Sequence, residues 1–273
     1  MQIFENKVEP FLKWAGGKRW LISKYKDILL EIGSYNNYFE PFLGGGAVFF
    51  HLNPRSGMIS DVNADLVNTY KVIKNYKDDL YELLSNYQSL HSKDFYYEMR
   101  ASQPEESIFK AARFLYLNRT CWNGLYRVNN KGQFNVPIGT KTKVLFENED
   151  FREIASRLNN VEIMECDFEV TMDKAESGDF LFVDPPYTVK HNNNGFVKYN
   201  ENIFSWKDQI RLKETVVRCI ERGVKVLVTN ANHQSVLDLY SNIGQTLALD
   251  RPSIIAGKKE KRGIFNELII KCW

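Results

Sequence analysis

Four consecutive residues, Asp184-Pro185-Pro186-Tyr187, follow the apolar run Phe180–Val183 and set oxygen acceptors beside an aromatic face. Proline has no N–H to donate and stiffens the backbone, so the carbonyls around it are held as acceptors. Asp184 adds a carboxylate and Tyr187 a flat ring. Such a set suits an amine on a planar heterocycle. The exocyclic amine of adenine is a weak nucleophile, because its lone pair is delocalised into the ring, and it carries two N–H donors. If Asp184 accepts one and the Pro185 carbonyl the other, the nitrogen is oriented and drawn toward tetrahedral geometry while the base stacks on Tyr187. Against a strong electrophile, alignment of this kind supplies roughly 7–11 kcal/mol in favourable cases. The same tetrapeptide also reads as a tight turn closing a buried strand.

The elements that must position these residues are readable on both sides. Ligands of open α/β sheets bind beyond the carboxyl ends of strands, where Asp184 falls. A short run Tyr38–Glu40 meets Pro41, then Leu43-Gly44-Gly45-Gly46 and an apolar stretch from Ala47 to Leu52, a strand–glycine turn–helix pattern. Glycines at such a turn let backbone approach a ligand closely. No Walker lysine-threonine pair follows, which argues against a nucleotide phosphate cradle. Met58–Asp61 reads as a second strand. Asp61 at its end stands where a ribose-binding acid sits in nucleotide-binding α/β folds, or is the helix N-cap of the segment beginning Val62-Asn63. A helix over Trp20–Ile32 precedes all this. Helical periodicity then runs from Ala64 to about Asn118, and the Asn-Gly, Asn-Asn-Lys-Gly and Pro-Ile-Gly signals that follow predict a hairpin and loops. Strand–helix alternation resumes at Val161–Met164 and continues through Phe180–Val183, Lys225–Thr229 and Leu268–Ile270.

Length and composition fit this outline. A chain of 273 residues suits one α/β core with a sizeable insertion. The net charge of +2 is neutral evidence on nucleic acid, so any such contact rests on local patches. The cysteines, Cys121, Cys166, Cys219 and Cys272, form no CxxC pair, so no zinc site or disulfide framework is expected. Neither a signal peptide nor a run of about 18 apolar residues is present, and a cytoplasmic protein is expected.

Read in order, FLKWAGGK (11–18), FEPFLGGG (39–46), DVN (61–63), the FLYLNR…WNGL…FNVP block (114–137) and DPPY (184–187) resemble the Dam family of DNA adenine-N6 methyltransferases. The resemblance covers most of the chain in both order and spacing. It implies a Rossmann-like S-adenosylmethionine-dependent methyltransferase sheet over residues 1–63 and 148–273, with a mainly helical target-recognition domain inserted over 64–147. It implies that Asp184, Pro185, Pro186 and Tyr187 are catalytic. It also implies that Trp14, Lys18, Glu40, Pro41, Phe42, Gly44, Gly46, Asp61, Phe168 and Asp184 contact S-adenosylmethionine, with no metal. In that reading the glycine turn passes the methionine portion, Asp61 takes the ribose, Lys18 lies near the amino-acid carboxylate and Phe168 stacks on the adenine. The alternatives are a core tryptophan at 14, a solvated lysine at 18 and a core phenylalanine at 168.

By the same resemblance Lys13, Trp122, Asn123, Leu125, Arg127 and Pro137 meet double-stranded DNA. Trp122 would fill the gap left by a flipped base, while Arg127 and Lys13 would read guanines. The competing roles are a cap on a small core for Trp122 and a phosphate contact for Arg127. The family has an arginine-tyrosine pair where this chain has Thr140-Lys141, so the target is expected to be GATC or a related sequence. An Asn-rich loop, 190–202, is expected to fold over DNA, and Gly257–Gly263 to meet phosphate or to form a solvated hairpin tip. A monomer is expected. Cytosine-N4 methylation, an RNA substrate and a catalytically silent DNA-binding module of the same fold are the rival readings. Asp184, where cytosine enzymes usually carry serine, favours adenine.

Overall fold

The computed structural model describes residues 8–129, 131–147, 149–189, 204–252 and 264–273. The expected loop contacts at 190–202 and at 257–263 lie outside the described residues. The strands form one seven-stranded, mostly parallel sheet, so the α/β expectation holds. They are β1 (Tyr38–Glu40), β2 (Gly57–Asp61), β3 (Glu162–Glu165), β4 (Phe180–Val183), β5 (Lys225–Ala231), β6 (Gln245–Pro252) and β7 (Ile264–Cys272), in the order β3-β2-β1-β4-β5-β7-β6. Strand β1 runs parallel to β2 and β4, and β4 parallel to β5, whereas β7 is antiparallel to both β5 and β6.

The chain divides into two compact units. One comprises residues 19–43, 56–60 and 166–273. It holds α1 (Arg19–Leu30), β1, most of β2, α7 (Phe168–Met172), β4, α8 (Trp206–Glu221), β5, α9 (Gln234–Leu239), β6 and β7. Its central strands are apolar without alternation, as strands covered on both faces must be: all four residues of β4 are buried, as are Val226, Leu227 and Val228 of β5. The order reverses at β1, whose neighbours are β2 on one side and β4 on the other. At such a reversal the connections leave in opposite directions and open a crevice beyond the carboxyl ends, here those of β1 and β4. Strand β6 was not expected. It is an edge strand whose Gln245, Thr246 and Ala248 are exposed, so its apolar signal is only Leu247 and Leu249.

The other unit comprises residues 1–18, 44–55 and 61–165. It contains α2 (Ala47–Leu52), α3 (Ala64–Leu90), α4 (Lys93–Ala101), α5 (Ser107–Thr120), α6 (Phe151–Leu158) and β3. The single helical stretch expected over 64–118 is three helices. Ser92 interrupts it by capping α4 through the Phe95 amide, and Pro104 lies in the break before α5. Leu66, Tyr70, Ile73 and Leu84 of α3 are buried, as are Ala111, Ala112 and Leu115 of α5, and the two helices pack together.

Arg119, 3% exposed near the end of α5, ties three segments of this unit. It makes a two-pronged pair with the Glu149 carboxylate and donates to the carbonyls of Val144 (2.6 Å) and Phe11 (2.7 Å). Burial pushes the Glu149 carboxyl up in pKa, and Arg119 pulls only part of that back. Removing one partner from a buried, hydrogen-bonded pair strands the other charge. Arg119→Ala is expected to cost about 3–5 kcal/mol in urea unfolding, and Arg119→Met with Glu149→Leu together distinctly less. A single-variant loss under about 1 kcal/mol would mean that the pair is dispensable.

Candidate active site

Register explains the surroundings of Asp184. Val183 of β4 pairs with Val228 of β5, so Asp184, just past the end of β4, comes beside Thr229 within β5. The Thr229 hydroxyl donates to Asp184 Oδ1 at 2.6 Å from a fully buried position. The next residue on β5, Asn230, donates through Nδ2 to Gln209 Oε1 at 3.0 Å, and Gln209 Nε2 donates to the Pro186 carbonyl at 3.4 Å. Ala231, at the end of β5, pairs with Glu267 of β7, and Glu267 Oε2 accepts the Tyr187 hydroxyl at 2.6 Å. Burial, then the nearby Asp184 and Glu267 carboxylates, raise the Tyr187 pKa well above the ordinary value, so the phenol stays protonated as the donor. Side chains from three elements thus brace the tetrapeptide: Thr229 at Asp184, Gln209 at Pro186 and Glu267 at Tyr187. Pro185 is buried, while Asp184, Pro186 and Tyr187 are half-buried.

At the end of β1, Glu40 is buried and accepts the Tyr38 hydroxyl at 2.7 Å. Pro41 is buried. Phe42 is half-buried and stacks on Phe168, with centroids 5.4 Å apart. Phe168 itself is 2% exposed, with the Arg211 guanidinium 4.2 Å from its ring centre. It backs Phe42 and presents little surface of its own. Arg211 is fixed in turn by a two-pronged pair with Asp167 and by contacts to Glu169 and Asp208.

The remaining residues expected at a cofactor lie in the other unit. Gly44 has φ +48, and a Cβ there would sit 2.6 Å from Trp14 Cδ1, so glycine is needed for both reasons. Its amide donates to Asp61 Oδ2 at 3.0 Å and its carbonyl accepts the Tyr70 hydroxyl at 3.0 Å. Gly46 follows at the entry to α2. Asp61 also accepts the Asn63 amide through Oδ1, and it is Asn63 that caps α3, by accepting the Leu66 amide. Burial raises the Asp61 pKa although these amides pull it down. Trp14 is half-buried and stacks on Tyr126 at 5.4 Å. Lys18 is 3% exposed, with Nζ donating to the Gly16 carbonyl at 2.7 Å, and so is not a solvated lysine.

The residues expected at DNA share this unit. Trp122 is 54% exposed and caps no core. Its amide donates to the Pro137 carbonyl at 2.9 Å, and a bridge pairs Cys121 with Ile138, which braces the Trp122–Gly124 turn against the chain around Pro137. Asn123 is left-handed, φ 58, and exposed; Leu125 is half-buried. The expected hairpin is present, with a Val128–Phe134 bridge, and Asn135 Oδ1 accepts Arg127 Nε at 2.8 Å. Lys13 and Pro137 are exposed. Beside the hairpin opens a cleft of about 860 Å³ whose lining includes Arg100, Lys110, Arg113 and Lys131. Sequence reading missed these cations; Lys110 and Arg113, one turn apart on α5, were the available signal. Thr229, Gln209 and Glu267 were missed as well. Among the described residues, no group of three or more His, Cys, Asp or Glu could hold a metal ion, and no helix is long and apolar enough to cross a membrane.

Comparison with known proteins places these features in a lineage. The family described as D12 class N6 adenine-specific DNA methyltransferase matches residues 14–254. The Type II methyltransferase M1.LlaDCHI of Lactococcus lactis subsp. cremoris is 37% identical, over 97% of this chain and 96% of its own. The Type II methyltransferase M.MjaIII of Methanocaldococcus jannaschii is 37% identical, over 97% and 99%. The DNA adenine methylase of Escherichia coli (strain K12) is 30% identical, over 85% and 83%.

Tyr187→Phe removes the hydroxyl that Glu267 accepts and is expected to destabilise the fold by about 1–3 kcal/mol. Tyr76→Phe, at an exposed ring, should change stability by less than about 0.5 kcal/mol. Equal urea midpoints for the two variants would remove the Tyr187–Glu267 bond from the account of the site.

Proposed function

This chain belongs to the D12 class of N6 adenine-specific DNA methyltransferases, and on that premise we propose that it methylates adenine at a short duplex site. The site is GATC or a related sequence, and the methyl donor is S-adenosylmethionine. The observation that carries the reading is the Asp184–Tyr187 segment at the carboxyl end of β4, braced from β5, α8 and β7. The residues present fit the donor. A glycine turn has no room for a Cβ, Asp61 offers a carboxylate to a ribose, and Phe42, backed by Phe168, offers a ring to an adenine. By the family resemblance, Trp14, Lys18, Glu40, Pro41, Phe42, Gly44, Gly46, Asp61 and Phe168 are the proposed contacts. Asp184 is shared with the catalytic set.

The bound donor supplies an electrophilic methyl group on a sulfonium. The work left to the protein is to hold a poor nucleophile in line. Asp184 accepts one N–H of the target amine and the Pro185 carbonyl the other, Pro186 stiffens the segment, and Tyr187 stacks on the extruded base. Thr229 bonded to Asp184 Oδ1 keeps that carboxylate pointed, so that it accepts a hydrogen bond while the amine attacks. Residues 64–147 act as the recognition part, and residues 1–63 and 148–273 as the catalytic part. Trp122 fills the space vacated by the base, with Asn123 beside it, and Leu125 and Pro137 make apolar base contacts. Arg127, its Nε held by Asn135, turns its two terminal nitrogens to guanine. The cations Arg100, Lys110, Arg113 and Lys131 supply phosphate contacts that the net charge of +2 conceals.

Duplex DNA and tritiated S-adenosylmethionine, followed by identification of the labelled base, test the reading. Label is expected in N6-methyladenine. Asp184→Ala should reduce transfer by about 10²–10³-fold or more, by analogy with loss of one aligned polar group at a reacting centre, with donor binding weakened but measurable. Full activity in that variant overturns the mechanism. Arg127→Ala should lose about 1–3 kcal/mol of discrimination at one base pair. A uniform fall across all sequences would make Arg127 a phosphate contact.

A further inference from the structure

Near the end of α5, four residues before the exposed Trp122, Asn118 is 1% exposed and faces backbone 105 residues away. Its Oδ1 accepts the Lys13 amide at 3.0 Å, and its Nδ2 donates to the Lys13 carbonyl at 2.8 Å. A carboxamide that takes both polar groups of one residue imitates a strand partner, and it fixes the residue's orientation as well as its place. The same Nδ2 reaches the Gly124 carbonyl at 3.5 Å. Gly124 is left-handed, φ +66, and a Cβ on it would lie 2.4 Å from Lys13 Cδ and 3.2 Å from Lys13 Cβ. The turn that carries Trp122, Asn123 and Leu125 thus rests on the stem of Lys13, and one side chain bonds to both segments.

We propose that Asn118 is a specificity-positioning residue, which registers Lys13 against the Trp122–Leu125 turn so that both address the DNA as one rigid reading surface. The inference rests on the function proposed above, in which Lys13 meets a base. Asn118 touches no base; it acts through the angle at which Lys13 leaves the backbone. Lys13 sits on an N-terminal segment remote in sequence from the hairpin, and a lysine stem has four rotatable bonds. Without a fixed starting direction its ammonium would sample several bases and phosphates. Asn118→Asp keeps the shape, removes both donated bonds and sets a carboxylate against the Lys13 and Gly124 carbonyls.

A double-mutant cycle separates this role from a general structural one. Wild type, Lys13→Ala, Asn118→Asp and the double variant are given a pool of duplexes randomised around adenine, and methylated adenines are read by single-molecule sequencing. Thermal unfolding and S-adenosylmethionine affinity are measured on each. Lys13→Ala and Asn118→Asp are both expected to relax preference at the same base position, on the order of tenfold, and the double variant no further than either alone. Donor affinity should stay within about twofold. Gly124→Ala, which presses on the Lys13 stem from the other side, should relax that position too, and serves as the test should Asn118→Asp fail to fold.

Unaltered preference in Asn118→Asp, additive relaxation in the double variant, or loss spread over all positions overturns the inference while leaving adenine methylation standing. Gly124→Ala with wild-type preference does the same. A wild type that makes no N6-methyladenine overturns the functional reading, and this inference with it.

Discussion

Carboxylates in low-dielectric surroundings are the constraint around which the sheet's carboxyl ends are built. Stripped of water, an acid needs donors or it gives up its charge or its place. At this end of the sheet three acids, Glu40 closing β1, half-buried Asp184 past β4 and Glu267 on β7, each accept from a hydroxyl. Glu40 has the Tyr38 phenol, Asp184 the Thr229 hydroxyl and Glu267 the Tyr187 phenol. Tyr38 and Tyr187 are raised well above ordinary phenols, mainly by burial, and so remain donors throughout the neutral range. Neutral donors orient an acid without neutralising it. Other acids are held by cations, Glu149 by Arg119 and Asp167 by Arg211.

The glycine turn obeys the same logic in the other unit. Asp61 is half-buried, loss of hydration raises its pKa, and backbone amides from Gly44 and Asn63 compensate it. One acid therefore organises both the turn ahead of α2 and the entry to α3, while Tyr70 closes the turn from behind through the Gly44 carbonyl.

Much of this was legible in the amino-acid sequence, for a physical reason. Parallel strands buried on both faces leave continuous apolar runs, and Phe180–Val183 and Val226–Val228 stand out accordingly. The residues beyond them, Asp184 and its prolines, are conspicuous because polar and rigid groups rarely follow such runs by accident. What escaped notice depends on pairing between distant segments. Thr229 matters because β4 and β5 are in register, 45 residues apart; Glu267 lies 80 residues from Tyr187, and Asn118 is 105 from Lys13. No local pattern marks them. The edge strand β6, half of it facing solvent, hides for the opposite reason, since little of it is apolar. Trp122 shows a further limit: a tryptophan is as plausible inside as outside, and only its 54% exposure decides. Lys18 misleads in the other direction, because a lysine whose Nζ donates to a nearby carbonyl can be buried.

The antiparallel strand β7, inserted between β5 and β6, has a consequence for how the molecule is made. Its Glu267 is synthesised 80 residues after the tyrosine it holds. At about 5–20 residues per second, a nascent chain spends roughly 4–16 s with Tyr187 already translated and its partner still to come. The helices 64–120 can pack on the ribosome meanwhile, because their contacts are nearby in the chain. The 184–187 segment stays without its Glu267 brace until β7 is made and enters the sheet, so an incomplete polypeptide has the packed helices before it has the braced tetrapeptide.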